Sequence, residues 1–389
     1  MTIGFLLNTC EPFYRGGYER RAWSFARELA RQGHDVRIYT SCPRDEIIEG
    51  VRFVRLAAPR RFFNARGVRN GIADLLFALA VLRLLVRVRR GELDILDVCA
   101  TPFVHLPFVA FVAWWKRIPV VLTCHEALLA ALPDYARERG QGQRWRAGLT
   151  VRVLAAVYRL GMSLFPRRIA VSLRTARALE KEGFPAPHTV EFGLEPEAIA
   201  ATPPSPRPAG APVRAIYCGR LTPIKSVDQI LAALLPLRGV APAFHLDLVG
   251  EGSERSRLES IVAEAGAHGI VTFHGEVSEA QKRERLAAAD VFVLGSPREG
   301  FSIATLEAMA QGCAALVVND PARPNGVLDF VRNGEGGLIV APGVDPLREG
   351  FRHLLENPHE REQLRQGAWE MAQRYQIESQ AARLLDAYQ

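Results

Sequence analysis

Val291-Phe292-Val293-Leu294 leads through Gly295-Ser296-Pro297 into Arg298-Glu299-Gly300-Phe301-Ser302-Ile303-Ala304-Thr305-Leu306-Glu307-Ala308-Met309. The first four residues are apolar and β-rich, and Ile303 to Gln311 has a helical pattern, so the stretch reads as a buried strand turning into a helix. Glu299 then lies at the strand's carboxyl end and Glu307 inside the helix. In open α/β sheets small ligands sit just beyond the carboxyl ends of strands, and free amides of Gly300, Phe301 and Ser302 at a helix start suit phosphate oxygens. One carboxylate is placed for sugar hydroxyls and the other for a ribose. The alternative is structural: Glu299 complements the helix dipole and Glu307 is a partly exposed helix residue.

A second strand end lies upstream. Val213-Arg214-Ala215-Ile216-Tyr217-Cys218 reads as a buried strand and runs into Gly219-Arg220-Leu221-Thr222-Pro223-Ile224-Lys225. Arg220 offers a planar fork for phosphate oxygens and Lys225 a mobile point charge, a pair able to neutralise a diphosphate without a metal ion. A loop Arg and Lys are usually only solvated, and the two glutamates downstream are what give this pair meaning.

Taken together these elements resemble the retaining glycosyltransferases of family 4, which have the GT-B fold. The resemblance spans nearly the whole chain. It is carried by Gly219-Arg220 with Lys225, by Glu299 through Glu307-Ala308-Met309-Ala310-Gln311-Gly312, and in the amino half by the strand Ile3 to Leu7, Gly16-Gly17-Tyr18-Glu19, the helix Arg20 to Arg31 and Gly33-His34-Asp35-Val36. It implies two Rossmann-like, doubly wound parallel-sheet domains facing a cleft, and transfer of a hexosyl unit from a nucleotide-diphosphate sugar to a sugar, glycan or lipid-linked acceptor. Arg220 and Lys225 are expected to clamp the leaving diphosphate, Glu299 to position the sugar and Glu307 to hold the ribose. Backbone near Val277, after the strand Val271 to Phe273, is expected to meet the base. Gly16 and Gly17 are expected to bring backbone amides close to the phosphates. His125 follows the strand Val120 to Cys124, and in the resembled family a histidine there touches the donor sugar or its phosphate. Two departures stand out. Phe192 replaces the family's usual Asn in Glu191-Phe192-Gly193-Leu194-Glu195, and Pro324-Asn325-Gly326-Val327-Leu328 lacks an expected Glu.

A chain of 389 residues, 48% hydrophobic, exceeds what one core usually serves. We expect an acceptor-binding domain over 1–200, a donor-binding domain over 201–375 and a terminal helix over 376–389 crossing back to the first. The proline-rich stretch Ala201 to Pro212 is the expected linker.

The six cysteines are scattered singly, so a reducing, cytoplasmic setting is expected, and the start of the chain reads as a strand rather than an export signal. No Asp-x-Asp or clustered histidine motif occurs, and the expectation is a reaction without metal or other cofactor beyond the nucleotide-sugar co-substrate. Residues 1–200 carry a net charge of +11 and the rest −4. The basic half mixes Arg with apolar residues at Pro59 to Arg66, Ile72 to Arg90 and Arg144 to Arg168, which suits an anionic membrane surface better than nucleic acid; solvated arginines are the plainer reading. No stretch has the roughly 20 apolar residues needed to span a bilayer. Two other classes compete. Gly250-Glu251-Gly252 is a partial dinucleotide fingerprint, pointing to an NAD-dependent oxidoreductase, but Arg255 stands at the third glycine's place. A catalytically silent, nucleotide-sugar-binding partner subunit would keep the same binding residues.

Overall fold

In the computed structural model, which describes residues 1–59, 70–129, 144–208, 210–239 and 243–389, the chain forms two compact units. One is Met1–Gly193 with Ile377–Gln389, the other Leu194–Gln376. The division falls at Gly193, not at 200, and the proline-rich stretch belongs to the second unit. Proline keeps that stretch out of helix and sheet, but the helix Pro358–Ala372 ties it down: the Trp369 indole donates to the Ala200 carbonyl (2.9 Å) and Arg365 to the Ser205 carbonyl (3.2 Å).

Among the described residues the first unit has eight strands: β1 (Thr2–Leu6), β2 (Asp35–Ser41), β3 (Glu46–Ile48), β4 (Val51–Ala57), β5 (Ile95–Cys99), β6 (Val120–Cys124), β7 (Arg168–Ala170) and β8 (His188–Thr189), in the order β3-β4-β2-β1-β5-β6-β7-β8. Of these pairings β3–β4 is antiparallel and the others are parallel. Strand alternation decides what each face meets. Ile3 and Phe5 face a core shared with the helix Gly17–Arg31 and the terminal helix Ile377–Tyr388. Leu6, Leu96 and Val98 face the opposite core, under Phe77 of the helix Gly71–Ala80, Val109 of the helix Leu106–Lys116 and Met162 of the helix Arg144–Ser163.

Among the described residues the second unit has six strands, all parallel: β9 (Val213–Cys218), β10 (Phe244–Val249), β11 (Val271–Gly275), β12 (Val291–Leu294), β13 (Ala314–Val318) and β14 (Gly337–Val340), in the order β11-β10-β9-β12-β13-β14. This is the doubly wound order. The chain moves outward from β9 in one direction, then returns and moves outward from β12 in the other, so the β9 and β12 carboxyl ends flank the switch point where their loops part. In the first unit β1 and β5 hold the same position.

Candidate functional site

The switch point of the second unit gathers the charged residues. β9 pairs with β12 through Ala215 opposite Val291 and Ile216 opposite Phe292. Beyond these strands Lys225, ending the short 3-10 turn Pro223–Lys225, meets Glu299, and its Nζ lies 2.6 Å from Glu299 Oε1. The Lys225 side chain is about a fifth exposed and that of Glu299 a tenth. Arg220 sits on the same β9 loop with an exposed side chain, and its carbonyl accepts a hydrogen bond from the Tyr217 hydroxyl (2.9 Å). Burial, and then the charge of Glu299, push the Tyr217 phenol well above its ordinary value, so it stays a donor and pins the loop.

The neighbouring loops brace this one. Gly250 has φ +130°, and a Cβ there would come within 2.0 Å of the Gly219 carbonyl. The Gly219 amide donates to the Val249 carbonyl and the Leu221 amide to that of Glu251. Gly250-Glu251-Gly252 therefore has a packing explanation: its glycines let the β10 loop lie directly on the loop that carries Arg220.

Ser302 opens the helix Ile303–Ala310 in the left-handed region (φ 70°), with no side-chain cap on the helix amides and its hydroxyl 2.8 Å from that of Thr305. Phe301 is buried against Phe330 and Tyr375, ring centroids 4.9 and 6.2 Å away, which fixes the Gly300 turn from behind. Glu299 is held by its own carbonyl, which accepts from the Gly326 amide (2.7 Å). Asn325 and Gly326, in the stretch that departs from the family pattern, thus support the Glu299 turn.

Glu307 is buried, and both its oxygens accept from Lys282 Nζ, at 3.0 and 2.9 Å. Lys282 was not singled out in the sequence. It stands in the first turn of the helix Glu279–Ala288, behind a Ser278/Gln281 capping box, with nothing local to mark it. Val277 is partly exposed between β11 and that helix. His274 beside it is committed elsewhere: its Nε2 lies 2.6 Å from the buried Asp247 carboxylate, which Arg214 also reaches at 3.2 Å. Burial alone would raise Asp247, but hydrogen bonds from His274 and then Arg214 hold its carboxyl below the usual range.

In the first unit Gly16 is the N-cap of the helix Gly17–Arg31 and makes no side-chain cap. The Glu19 carboxylate folds back against it, at 2.2 Å from where a Cβ of residue 16 would stand, and accepts from the Thr9 hydroxyl (2.7 Å). A side chain at 16 would have to displace the Glu19 carboxylate. Tyr18, next to Gly17, brings this loop to His125, the ring centroids being 5.6 Å apart. Burial, then the nearby Arg21 guanidinium, push His125 down to about 3. It is therefore neutral at physiological pH, a hydrogen-bonding group rather than a cation. Beneath it Asp97 accepts from Thr123 (2.6 Å) and from Tyr388 of the terminal helix (2.8 Å), while Arg21 donates to the Val190 carbonyl (2.9 Å). Phe192 is buried, and Gly193 lies so close to Ile377 that a Cβ would come within 2.5 Å of its Cα.

The sequence-singled residues thus form three groups: Arg220, Lys225 and Glu299 with the Gly300–Ser302 turn; Glu307 with Lys282; and Gly16, Gly17 and His125 in the other unit. Residues 60–66 of the basic aromatic stretch lie outside the described residues. Among the described residues no three His, Cys, Asp or Glu side chains gather as for a metal ion, and no helix is long and apolar enough to cross a membrane.

Two families match successive parts of the chain. Residues 15–198 match the one described as Glycosyltransferase Family 4, and residues 202–371 the one described as Glycosyl transferases group 1. A glycogen synthase of Mycobacterium tuberculosis is 28% identical over 372 residues, covering 89% of this chain and 84% of its own. An MMP alpha-(1->4)-mannosyltransferase of Mycolicibacterium hassiacum is 26% identical over 389 residues, covering 91% and 90%. The solved sucrose-phosphate synthase of Thermosynechococcus elongatus superposes with a TM-score of 0.78 at 19% identity over 99% of this chain and 98% of its own.

Proposed function

The chain belongs to the group 1 glycosyltransferases of family 4 and is a glycosyltransferase, and from that footing we propose that it moves a hexosyl unit from a nucleotide-diphosphate sugar with retention of anomeric configuration and without a metal ion. The observation that carries this reading is the Lys225–Glu299 pair, 2.6 Å apart, beside Arg220 at the switch point of a doubly wound sheet. As the anomeric carbon becomes oxocarbenium-like, negative charge grows on the departing diphosphate, and cations fixed beforehand stabilise it most. Glu299 keeps Lys225 in place and offers its second oxygen to sugar hydroxyls, a proximity effect rather than nucleophilic attack. Same-face attack, with the leaving phosphate taking the acceptor's proton, needs no protein base. Glu307, oriented by Lys282, holds the ribose, and backbone near Val277 meets the base. The helix-start amides at Gly300 to Ser302 and at Gly16 and Gly17 bind phosphate, and neutral His125 hydrogen-bonds the donor.

The acceptor is a glycan, lipid-linked or small sugar molecule, and an anionic membrane surface is the further partner. Six buried cysteines, none in a disulfide, suit a reducing cytoplasm. The test is incubation with labelled UDP- and GDP-hexoses, with and without EDTA, over a panel of sugar and lipid-extract acceptors, with product configuration read by NMR. Transfer that persists in EDTA and retains configuration supports the reading. Transfer that needs magnesium or manganese, or inverts configuration, refutes those parts of it, and nucleotide binding without transfer to any acceptor favours the silent partner subunit.

A further inference from the structure

Every large apolar side chain exposed among the described residues lies in the first unit, and most of them fall in one helix layer. The helices Gly71–Ala80, Leu106–Lys116 and Arg144–Ser163 lie side by side over the same face of the sheet. Their inward sides fill the core, yet their outward sides are apolar as well. Trp114 is 74% exposed, Trp115 58% and Phe111 47%, and the three rings form a contiguous cluster with centroids 6.1 and 6.4 Å apart. Leu75 and Leu79 are exposed on one neighbouring helix and Leu160 on the other. A helix layer on a water-facing surface ordinarily shows charged side chains outward, and an exposed apolar area of this extent marks an interaction surface.

The charge around it selects the partner. Residues 71–90, 106–117 and 144–168 contain 12 Lys and Arg and one acidic residue, Asp74, which is buried. Arg89, Arg90, Arg117, Arg152 and Arg159 are exposed at the ends and between the apolar positions. An isologous contact between two copies of this face would set arginines against arginines. A bilayer with anionic headgroups meets both features, since indole rings rest at the headgroup level and arginines pair with lipid phosphate around them.

We propose that this helix layer is a docking surface for an anionic lipid bilayer, with Trp114 and Trp115 inserted at the headgroup level and the arginines as the electrostatic collar. The proposal deepens the membrane partner named above and rests on none of the assigned chemistry. It rests on two of the basic and apolar stretches singled out in the sequence, Ile72 to Arg90 and Arg144 to Arg168, together with the helix Leu106–Lys116.

The test uses the full chain with vesicles of phosphatidylcholine alone and of equal parts phosphatidylcholine and phosphatidylglycerol. The wild type is expected to co-sediment with the anionic vesicles, to shift its tryptophan emission to the blue, and to release as salt rises, because screening shortens the reach of its charges. Trp114→Ser with Trp115→Ser is expected to lower the partition coefficient tenfold or more and to abolish the blue shift. Arg152→Glu with Arg159→Glu is expected to lower it several-fold and to flatten the salt dependence. Arg352→Glu, an exposed arginine of the second unit, is the control and should bind as the wild type does. Calorimetry with UDP and GDP on each variant reports folding and the donor reading without vesicles, so loss of one is distinguished from loss of the other. Wild type that stays in the supernatant at low salt, or a double tryptophan variant that binds undiminished, overturns the proposal. Sedimentation velocity showing a wild-type dimer that the tryptophan variant dissolves assigns the face to a second copy instead and overturns it equally.

Discussion

The two units share the central doubly wound strand order but use the switch point differently. In the second unit the groups beyond β9 and β12 are ionic and matched, Lys225 to Glu299 and Lys282 to Glu307. In the first unit the corresponding region is closed by burial: His125 is held neutral, Asp97 is raised above the usual carboxylate range by burial, and the terminal helix supplies Tyr388 to it. Lys225, a fifth exposed, is free to exchange partners, whereas buried Asp97, with both its hydrogen bonds made, holds shape. The same central strand order thus carries paired charges beyond its switch point in one unit and a buried, hydrogen-bonded carboxylate in the other.

The comparison is broken most directly at the clamp. Lys225→Ala and Arg220→Ala should each lower turnover by about two to three orders of magnitude, the range seen when one preorganised charge-stabilising group is lost. His125→Ala should cost clearly less. A histidine variant as damaged as the lysine variant in kcat would place essential chemistry in the first unit and dissolve the contrast.

The two carboxylates separate next. Glu299→Gln should act mainly on kcat, by misplacing the sugar and releasing Lys225, whereas Glu307→Ala should act on nucleotide affinity, about tenfold or more. Calorimetry with the free nucleotide decides it, and an unchanged Kd in Glu307→Ala rejects the ribose assignment.

Tyr388→Phe removes one hydrogen bond from buried Asp97, which keeps Thr123. The expected loss is about 1–2 kcal/mol of stability, read as a lowered urea midpoint, with nucleotide affinity in the second unit unchanged. Reduced nucleotide binding in this variant would show that the terminal helix does more than brace the first unit.

The smallest effect is on pH dependence. His125 has a depressed folded pKa, so its contribution to stability is fully present above the ordinary histidine value and is lost as pH falls from there toward about 3, as the unfolded chain takes up the proton. Denaturation midpoints between pH 7 and pH 4 should fall less steeply in His125→Asn than in the wild type. Parallel curves would mean the imidazole is solvated and chargeable.

Much of the second unit was legible in advance. Its strands are short apolar runs, and Arg220, Lys225, Glu299 and Ser302 stand within a few residues of a strand end, so chain direction alone places them at the ligand side of a parallel sheet. By packing, the chain divides at Gly193 rather than at 200, because proline density reports only what a segment cannot form; the helix that holds Ala200 and Ser205 lies more than 150 positions away. Lys282 carried no mark, being one lysine among the charged residues of an amphipathic helix. In the first unit the arginines of the helix layer were visible as composition, but which apolar residues face outward depends on what the sheet and neighbouring helices already cover.

The sequence by itself determined the doubly wound class, the strand ends and which cations follow them, because these depend on alternation, helix periodicity and loops local to one strand. Only the tertiary structure decided that Lys282 meets Glu307 across 25 positions and Tyr388 meets Asp97 across 291, and that two tryptophans are left at the surface. Contacts of that kind exist only once the strand order has set which helices share a face, and a pattern read along the chain carries no record of what packs across it.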